Sequence, residues 1–491
     1  MMSQRWFSWD LDHGVRHVER PVHHCGVVGV VGVEGAADVI ARALMALQHR
    51  GEEGAGIVVS DGKVLRAVRT AGLVSDLLDH QRAEFARLRG TVGVGHVRYS
   101  TTGAWDLRNV QPLVVECQSG MWALAHNGNL TNAGALRFQW QSRGAIFQTG
   151  TDTEVLLHMI AHPRFARQPQ PVVAALRVLR GAFSMVLVHK NRLIAARDRH
   201  GFRPLALGRL GSGYIVASET CAFHQVGATF LREIEPGEVL VWEGCELRQY
   251  TLTARPARGG QCVFEHIYFA RPDSVLFGRN VHEVRMGLGR RLAEERPVRA
   301  DVVVPIPDSG LPAAMGFAQA SGIPMDLGFI RNHYIGRSFI RPTAEDRARV
   351  ADLKLAVVEH VVRGRRVVVV DDSLVRGTTV QRRVQTLRKA GAIEVHLRIA
   401  SPPIRWPCWF GIDFPTREEL IAADRTEEEI ARIIGVDSLG YLSLEGLARV
   451  LNGSRDYCFG CFTGRYPENV AKTPNKFAFE ITLAKGRSGS V

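Results

Sequence analysis

Two units of different fold class are expected in this chain: a layered α+β or all-β domain, then an α/β domain built on a parallel sheet. Three observations lead there. Between Cys25 and about Trp242, short apolar runs rich in β-branched residues are broken by glycine: CGVVGVVGV, AGIVVS, TVGVGHV, MWALAHNGN, FSMVLVH, RLIAARD, YIVASE and EVLVWEG. Their lengths are those of strands, and two helical patterns interrupt them, Ala36 to Leu47 and Thr153 to Ala161. Beyond a polar, Gly/Pro-rich stretch at residues 251–261, TLTARPARGGQ, helix and strand patterns alternate, as in parallel sheets.

The second unit reads, in order, as a helix at Val281 to Glu295, a strand at Asp301 to Ile306 and a helix at Pro312 to Ser321. The stretch VVVVDDSLVRGTT (residues 367–379) follows, then an amphipathic helix from Val380 to Ala390 stopped by Gly391, and a strand near Val395 to Ala400. Residues 472–491 form a polar, weakly patterned tail. At 491 residues the chain is too long for one core. Its 46% hydrophobic and 23% charged content is that of globular proteins. No apolar run is long enough to span a membrane. The first 24 residues carry Asp10, Asp12 and Glu19 and lack an apolar core, which excludes a secretory signal and points to the cytoplasm. The net charge of +13 is mostly arginine spread along the chain, without the basic helix or signature of a nucleic-acid binder.

The residues 367–379 carry the clearest chemistry. Four consecutive valines suit a strand buried on both faces. Asp371 and Asp372 come at its carboxyl end, where open α/β sheets bind ligands. Ser373, Arg376, Gly377, Thr378 and Thr379 then lead into a helix whose N-terminal N–H groups can hold a phosphate. Paired carboxylates beside a phosphate cradle suit the vicinal hydroxyls of a phosphorylated sugar. This segment resembles the phosphoribosylpyrophosphate (PRPP) motif of type I phosphoribosyltransferases.

Cys25 heads a strand in HHCGVVGV, and four polar clusters accompany it at expected strand ends: HRGEEGAGI from His49, GHVRYSTTG from Gly95, HNGNLTN from His126 and TDTE from Thr151. Such loops between short strands suit a small polar ligand. Together they resemble the N-terminal-nucleophile glutamine amidotransferases, whose fold is a layered αββα sandwich. The resemblance implies that the chain is cut between His24 and Cys25, so that the freed α-amine of Cys25 serves as base. An α-amino group titrates near 7.7–8.0 and can take the thiol proton. The resemblance also implies Asn127 and Gly128 as oxyanion donors, Arg98 for the substrate α-carboxylate and Asp152 for its α-amine.

The two motif sets in this order resemble the glutamine PRPP amidotransferases, almost continuously from Cys25 to about Pro467. RHGFRPLALG, ASETCAF, REIEPGE, CVFEHIYFARPDS, VPIPDSG, NHYIGRSFIRP and GIDFPTREELIAAD all take part. The resemblance implies a propeptide at 1–24, an amidotransferase domain at 25–250, a phosphoribosyltransferase domain at 262–470 and a tail at 471–491. It implies glutamine and PRPP as substrates and ammonia passed internally, giving 5-phosphoribosylamine, glutamate and pyrophosphate at the first committed step of purine synthesis. Magnesium would be held by Ser309, Asp371 and Asp372, the 5′-phosphate by backbone N–H groups of Ser373 to Thr379, and a loop from Arg331 to about Asp352 would close over PRPP. Purine nucleotides are implied as feedback inhibitors and a tetramer or dimer as the assembly.

Eight cysteines are present, among them CFGC at Cys458 and Cys461. With Cys262 and Cys408 these could supply four thiolates. Spacing alone leaves zinc, a [4Fe–4S] cluster and merely buried pairs open. The resemblance implies the cluster, since all four contexts match the iron–sulfur branch of the family. Cys117, Cys221 and Cys245 are read as packing residues. Three positions depart from the family pattern: Glu52 for glutamine, and Ala344 and Asp352 for glutamine and arginine. They leave two other readings, a paralogue with another acceptor and a PRPP- or nucleotide-sensing regulator without transferase activity.

Overall fold

The structure is a computed structural model that describes residues 25–99, 106–244, 246–254, 257, 259–332, 355–414, 416–453 and 455–470. The expected propeptide, the closing loop beyond Asn332 with Ala344 and Asp352, the polar tail and Cys245 lie outside the described residues.

The first unit is an αββα sandwich. One antiparallel sheet has seven strands in the order Thr229–Glu233, Ala206–Leu210, Gly213–Ala217, Gly26–Val31, Val92–Arg98, Gly54–Ser60 and Leu65–Ala71. The other has six, ordered Glu246–Thr251, Glu238–Glu243, Arg192–Arg197, Gly181–His189, Gly120–Leu130 and Leu113–Cys117. Side chains alternate across each strand, and the apolar runs follow that rule. Val28 and Val30 face the helix Ala36–Ala46. Val27 and Val31 face the second sheet, against Ala125, Val186 and Trp242. The far side of the second sheet is covered by the helices Glu154–Ala161 and Pro171–Leu176. The first helix lies close on its sheet because Gly95 has no side chain: a Cβ there would stand 2.3 Å from Ile40.

The second unit is the expected parallel sheet, with Val302–Pro305, Arg366–Asp371, Glu394–Ile399 and Ser438–Tyr441 in that spatial order. Val368 and Val370 pack under Val281–Glu295 and Leu311–Ser321, while Val367 and Val369 pack against Thr378–Lys389 and Glu427–Ile434. The valine run is buried on both faces, each side chain contributing about 1.5–3 kcal/mol relative to exposure. Helices Val281–Glu295 and Leu311–Ser321 cross at two glycines, Gly289 over the Ala313 carbonyl and Gly316 over that of Met286.

Three expectations are corrected. MWALAHNGN is a strand as expected, but it continues to Leu130, so the HNGN cluster lies within it and not in a loop at its end, with Asn127 opposite Ser184 and Gly128 opposite Phe183. Helices beyond the two expected in the first unit are present, including Ala133–Gln141 and Cys221–Val226. The second of these is too short for a periodic apolar pattern to show. Cys221 is buried as a packing residue, whereas Cys117 is partly exposed at the end of an edge strand, its thiol 3.2 Å from the Ser119 hydroxyl.

Candidate active sites

Cys25 stands just before the Gly26–Val31 strand, and the register Gly26↔Val97 sets it beside Arg98 on the neighbouring strand. Its thiol is buried and directed at the Tyr99 carbonyl, 3.4 Å away. Burial pushes the thiol pKa up; the nearby Arg98 pulls it down, and Glu53 and Asp152 add to the rise. The thiol is therefore protonated at neutral pH until a base takes its proton. Arg98 and Asp152, both expected in the site, are buried beside it.

Asn127 is fully buried, and neither its amide nitrogen nor its amide oxygen has a hydrogen-bond partner among the described residues. Leaving both atoms unpaired costs about 1–3 kcal/mol each, which a ligand can recover. Gly128 has φ +147°, and a Cβ there would lie 2.1 Å from the Ala182 carbonyl, so only glycine fits. Asp152 is held by the Leu130 N–H (2.8 Å) and the Thr153 hydroxyl (3.3 Å).

Two buried histidines adjoin these residues. His126 Nδ1 meets the Thr153 hydroxyl at 3.0 Å and its Nε2 donates to the Ala182 carbonyl at 3.3 Å. Burial lowers its pKa. His96 donates from Nε2 to the His126 carbonyl (3.2 Å), and burial pulls its pKa down to about 3. Burial disfavours the charged form of both rings; both nitrogens of His126 are engaged, whereas His96 Nδ1 is buried with no hydrogen-bond partner among the described residues.

Sequence reasoning missed the buried charges behind Cys25. Arg50 Nε donates to the Cys25 carbonyl at 3.2 Å. Its guanidinium binds Glu219 at 2.5 Å and Glu265 through two bonds of 3.0 and 2.9 Å. Arg203 reaches Glu265 at 3.3 Å, and His49 reaches Glu219 at 2.7 Å. The four Arg and Glu side chains are excluded from water. Removing one partner of such a set strands a buried charge, at about 3–5 kcal/mol. The available signal was a charged residue inside otherwise apolar motif segments, such as Glu265 in CVFE.

In the second unit Asp371 and Asp372 lie, buried, at the carboxyl end of Arg366–Asp371. Asp371 Oδ1 accepts from the Asp372 N–H at 3.0 Å, and Asp372 Oδ1 accepts from the Ser373 hydroxyl at 2.5 Å. The Pro-Asp-Ser-Gly turn sits directly on this strand end, since a Cβ on Gly310 would lie 2.7 Å from the Val370 carbonyl and 3.2 Å from Asp371 Cα. Ser309 Oγ in that turn is buried with no partner among the described residues. Gly377, at φ +84°, opens the helix Thr378–Lys389, so Thr378 and Thr379 form its first turn. Arg376, expected at the phosphate, pairs with Glu419. Arg331 pairs with Asp308 of the turn. Arg285, also unforeseen, is buried behind the site, binding the carbonyls of His266 (2.7 Å) and Ala270 (2.8 Å) within electrostatic reach of Asp372.

Cys262 and Cys458 face each other in a short parallel ribbon, Gln261–Cys262 with Tyr457–Cys458. Cys461 lies in the helical turn Gly460–Thr463, and Cys408 Sγ accepts from the Phe410 N–H at 3.4 Å. All four are free thiols. Burial raises each pKa, Cys262 to about 11, and Cys461 is raised further by Cys408, Cys458 and Cys262. The four are thus within electrostatic reach of one another. Among the described residues, no group of three or more His, Cys, Asp or Glu stands at metal-holding geometry.

Comparison with known proteins agrees with this division. Residues 96–225 match the model of a glutamine amidotransferase domain, and residues 286–400 that of a phosphoribosyl transferase domain. The chain is 47% identical over 454 residues to the amidophosphoribosyltransferase of Bacillus subtilis, covering 91% of this chain and 94% of the relative. It is 45% identical over 464 residues to that of Methanocaldococcus jannaschii, covering 91% and 98%. The solved structure of the B. subtilis glutamine PRPP amidotransferase complexed with ADP and GMP superposes with a TM-score of 0.85 at 46% identity, covering 91% of this chain and 98% of that one. Both halves, in the same order and along nearly their whole length, match one set of proteins, and the chain belongs to the amidophosphoribosyltransferase family.

Proposed function

We propose that the chain moves the amide nitrogen of glutamine to PRPP, giving 5-phosphoribosylamine, glutamate and pyrophosphate at the entry to purine synthesis. The observation that carries the amidotransferase half is the buried, unpartnered amide of Asn127 in the site of Cys25, Arg98 and Asp152.

Once Cys25 is the first residue, its amine takes the Sγ–H proton and the thiolate attacks the side-chain carbonyl of glutamine. Charge develops on that oxygen, where Asn127 Nδ2 and the Gly128 N–H donate. Arg98 and Asp152 hold the substrate carboxylate and amine. Collapse returns the proton to the leaving nitrogen and releases ammonia. Water then hydrolyses the thioester to glutamate and restores the thiol. At the second site Asp371 and Asp372 hold the ribose hydroxyls, and the segment Ser373 to Thr379 holds the 5′-phosphate. Ammonia attacks C1, pyrophosphate leaves and the ammonium proton is lost.

Ser309, with its unpartnered hydroxyl, and the adjacent carboxylates are oxygen donors that fit magnesium, which would neutralise the leaving pyrophosphate. Four buried thiols within electrostatic reach of one another are the donor set that a [4Fe–4S] cluster takes, although among the described residues they do not stand at metal-holding geometry; the cluster would tie Cys262, Cys408, Cys458 and Cys461 together and add folding free energy. Purine nucleotides as inhibitors, a dimer or tetramer and a cytoplasmic location complete the reading. No helix among the described residues is long and apolar enough to cross a membrane.

Glutamate release that depends on PRPP tests the reading as a whole; equal release without PRPP and no amine product would contradict it. The active protein is expected to begin at Cys25 by intact mass and amino-terminal sequencing, and full activity with Met1 retained would refute the cleavage. Anaerobically purified protein is expected to carry about four iron and four sulfide per chain. Stoichiometric zinc without sulfide would contradict the cluster.

A further inference from the structure

We propose that Glu265 and Gly411, both from the second unit, are positioning residues for glutamine hydrolysis, so that the glutamine site is completed across the boundary between the units. The inference rests on the reading of Cys25, Asn127 and Gly128 given above.

Glu265 belongs to the second unit by its packing: its neighbours Phe264, Ile267 and Phe269 lie in one core with Val303 and Val368. Yet its carboxylate faces the first unit and grips both terminal nitrogens of Arg50, at 3.0 and 2.9 Å. Arg50 in turn holds the Cys25 carbonyl at 3.2 Å. A planar guanidinium fixed at its far end by a two-point carboxylate has little freedom. The orientation of the nucleophile's own peptide is therefore set jointly by Glu219 of the first unit and Glu265 of the second.

Gly411 makes the second brace. Its φ is +102°, and a Cβ there would lie 3.0, 3.1 and 3.3 Å from the carbonyl carbon, oxygen and Cα of Gly128. The segment Trp409–Gly411 thus packs against the Cα of Gly128 and the peptide that follows it, next to the peptide that carries the oxyanion-donor N–H. Three groups of the first unit clamp it there. Asn129 Nδ2 donates to the Trp409 carbonyl at 2.9 Å, Arg203 Nη2 donates to the Phe410 carbonyl at 2.6 Å, and the Phe202 ring stacks on Phe410 at 4.1 Å. Arg203 also binds Glu265, which joins the two braces into one unit.

The test compares glutamine-supported with ammonium-supported formation of phosphoribosylamine in full-length Gly411→Ala and Glu265→Gln. An added Cβ at position 411 strains a backbone at φ +102° and asks Gly128 to give by a few tenths of an ångström, so glutamine-supported kcat is expected to fall by about tenfold to a hundredfold, with the glutamine KM changed far less. Ammonium-supported turnover should stay within about twofold, which also reports that the second unit is folded. Alkylation of Cys25 by iodoacetamide develops no oxyanion and should likewise be unchanged in Gly411→Ala. Glu265→Gln loosens Arg50 and should lower the glutamine-supported rate with the ammonium-supported rate kept. If either protein is insoluble, Asn129→Asp decides: it turns a donor to the Trp409 carbonyl into an acceptor and should lower the same ratio. Parallel loss of both activities and of alkylation, or an unchanged ratio, overturns the inference. A wild-type chain that releases no glutamate overturns the underlying reading, and this inference with it.

Discussion

Cys25→Ala is expected to lower glutamine-supported amine formation by roughly 10⁴-fold or more, while ammonium-supported formation survives. That loss corresponds to about 5.4 kcal/mol of transition-state stabilisation. The asymmetry follows from the architecture. The thiol lies in the αββα sandwich, whereas the carboxylate pair lies at the end of the parallel sheet, in a separate core. Removing Sγ takes away the bond-forming atom but leaves Arg50, Glu219 and Glu265 in place, because Arg50 holds the Cys25 backbone carbonyl and not its side chain. Loss of both activities in a folded protein would mean that the two sites are not separable.

Asp371→Asn and Asp372→Asn are expected to do the opposite, lowering kcat/KM for PRPP with either nitrogen source. On the proposed reading, each change would remove a charged acceptor for ribose hydroxyls and for a magnesium ion. Two charge-assisted hydrogen bonds at about 1.5–3 kcal/mol each place the loss near 10²- to 10⁴-fold. The amide is close in shape to the carboxylate, and the local bonds that Asp371 and Asp372 accept from the Asp372 N–H and the Ser373 hydroxyl can still be accepted by an amide oxygen. An unchanged PRPP dependence, measured at saturating magnesium, would remove the pair from the site.

How much of this was legible in the sequence depended on whether local pattern and tertiary context agreed. The valine run announced its own burial on both faces, and the helix after Gly377 began within two residues of its expected start, because strand, turn and helix signals there all point the same way. HNGN misled for a physical reason. Asn and Gly favour turns, but the strand Gly181–His189 pairs with them through Leu130, and the missing side chain of Gly128 admits the Ala182 carbonyl. The Arg50–Glu219–Glu265–Arg203 set was out of reach, since four charges up to 215 residues apart meet only in three dimensions. The same holds for Gly411 on Gly128 and for Glu419 on Arg376. The four cysteines lie within electrostatic reach of one another, which spacing alone could not show for Cys262 and Cys408, far from CFGC in the chain.

The central claim is that nitrogen released at Cys25 reaches the sugar held at Asp371 and Asp372. The most direct measurement supplies amide-¹⁵N glutamine and PRPP in the presence of excess unlabelled ammonium, at a pH where little of it is free ammonia, and traps the amine product. Glutamate, pyrophosphate and amine are expected in equal amounts, with the amine retaining most of the ¹⁵N. Glutamate released without pyrophosphate, or an amine whose label is diluted to that of the bulk ammonium, would contradict the account.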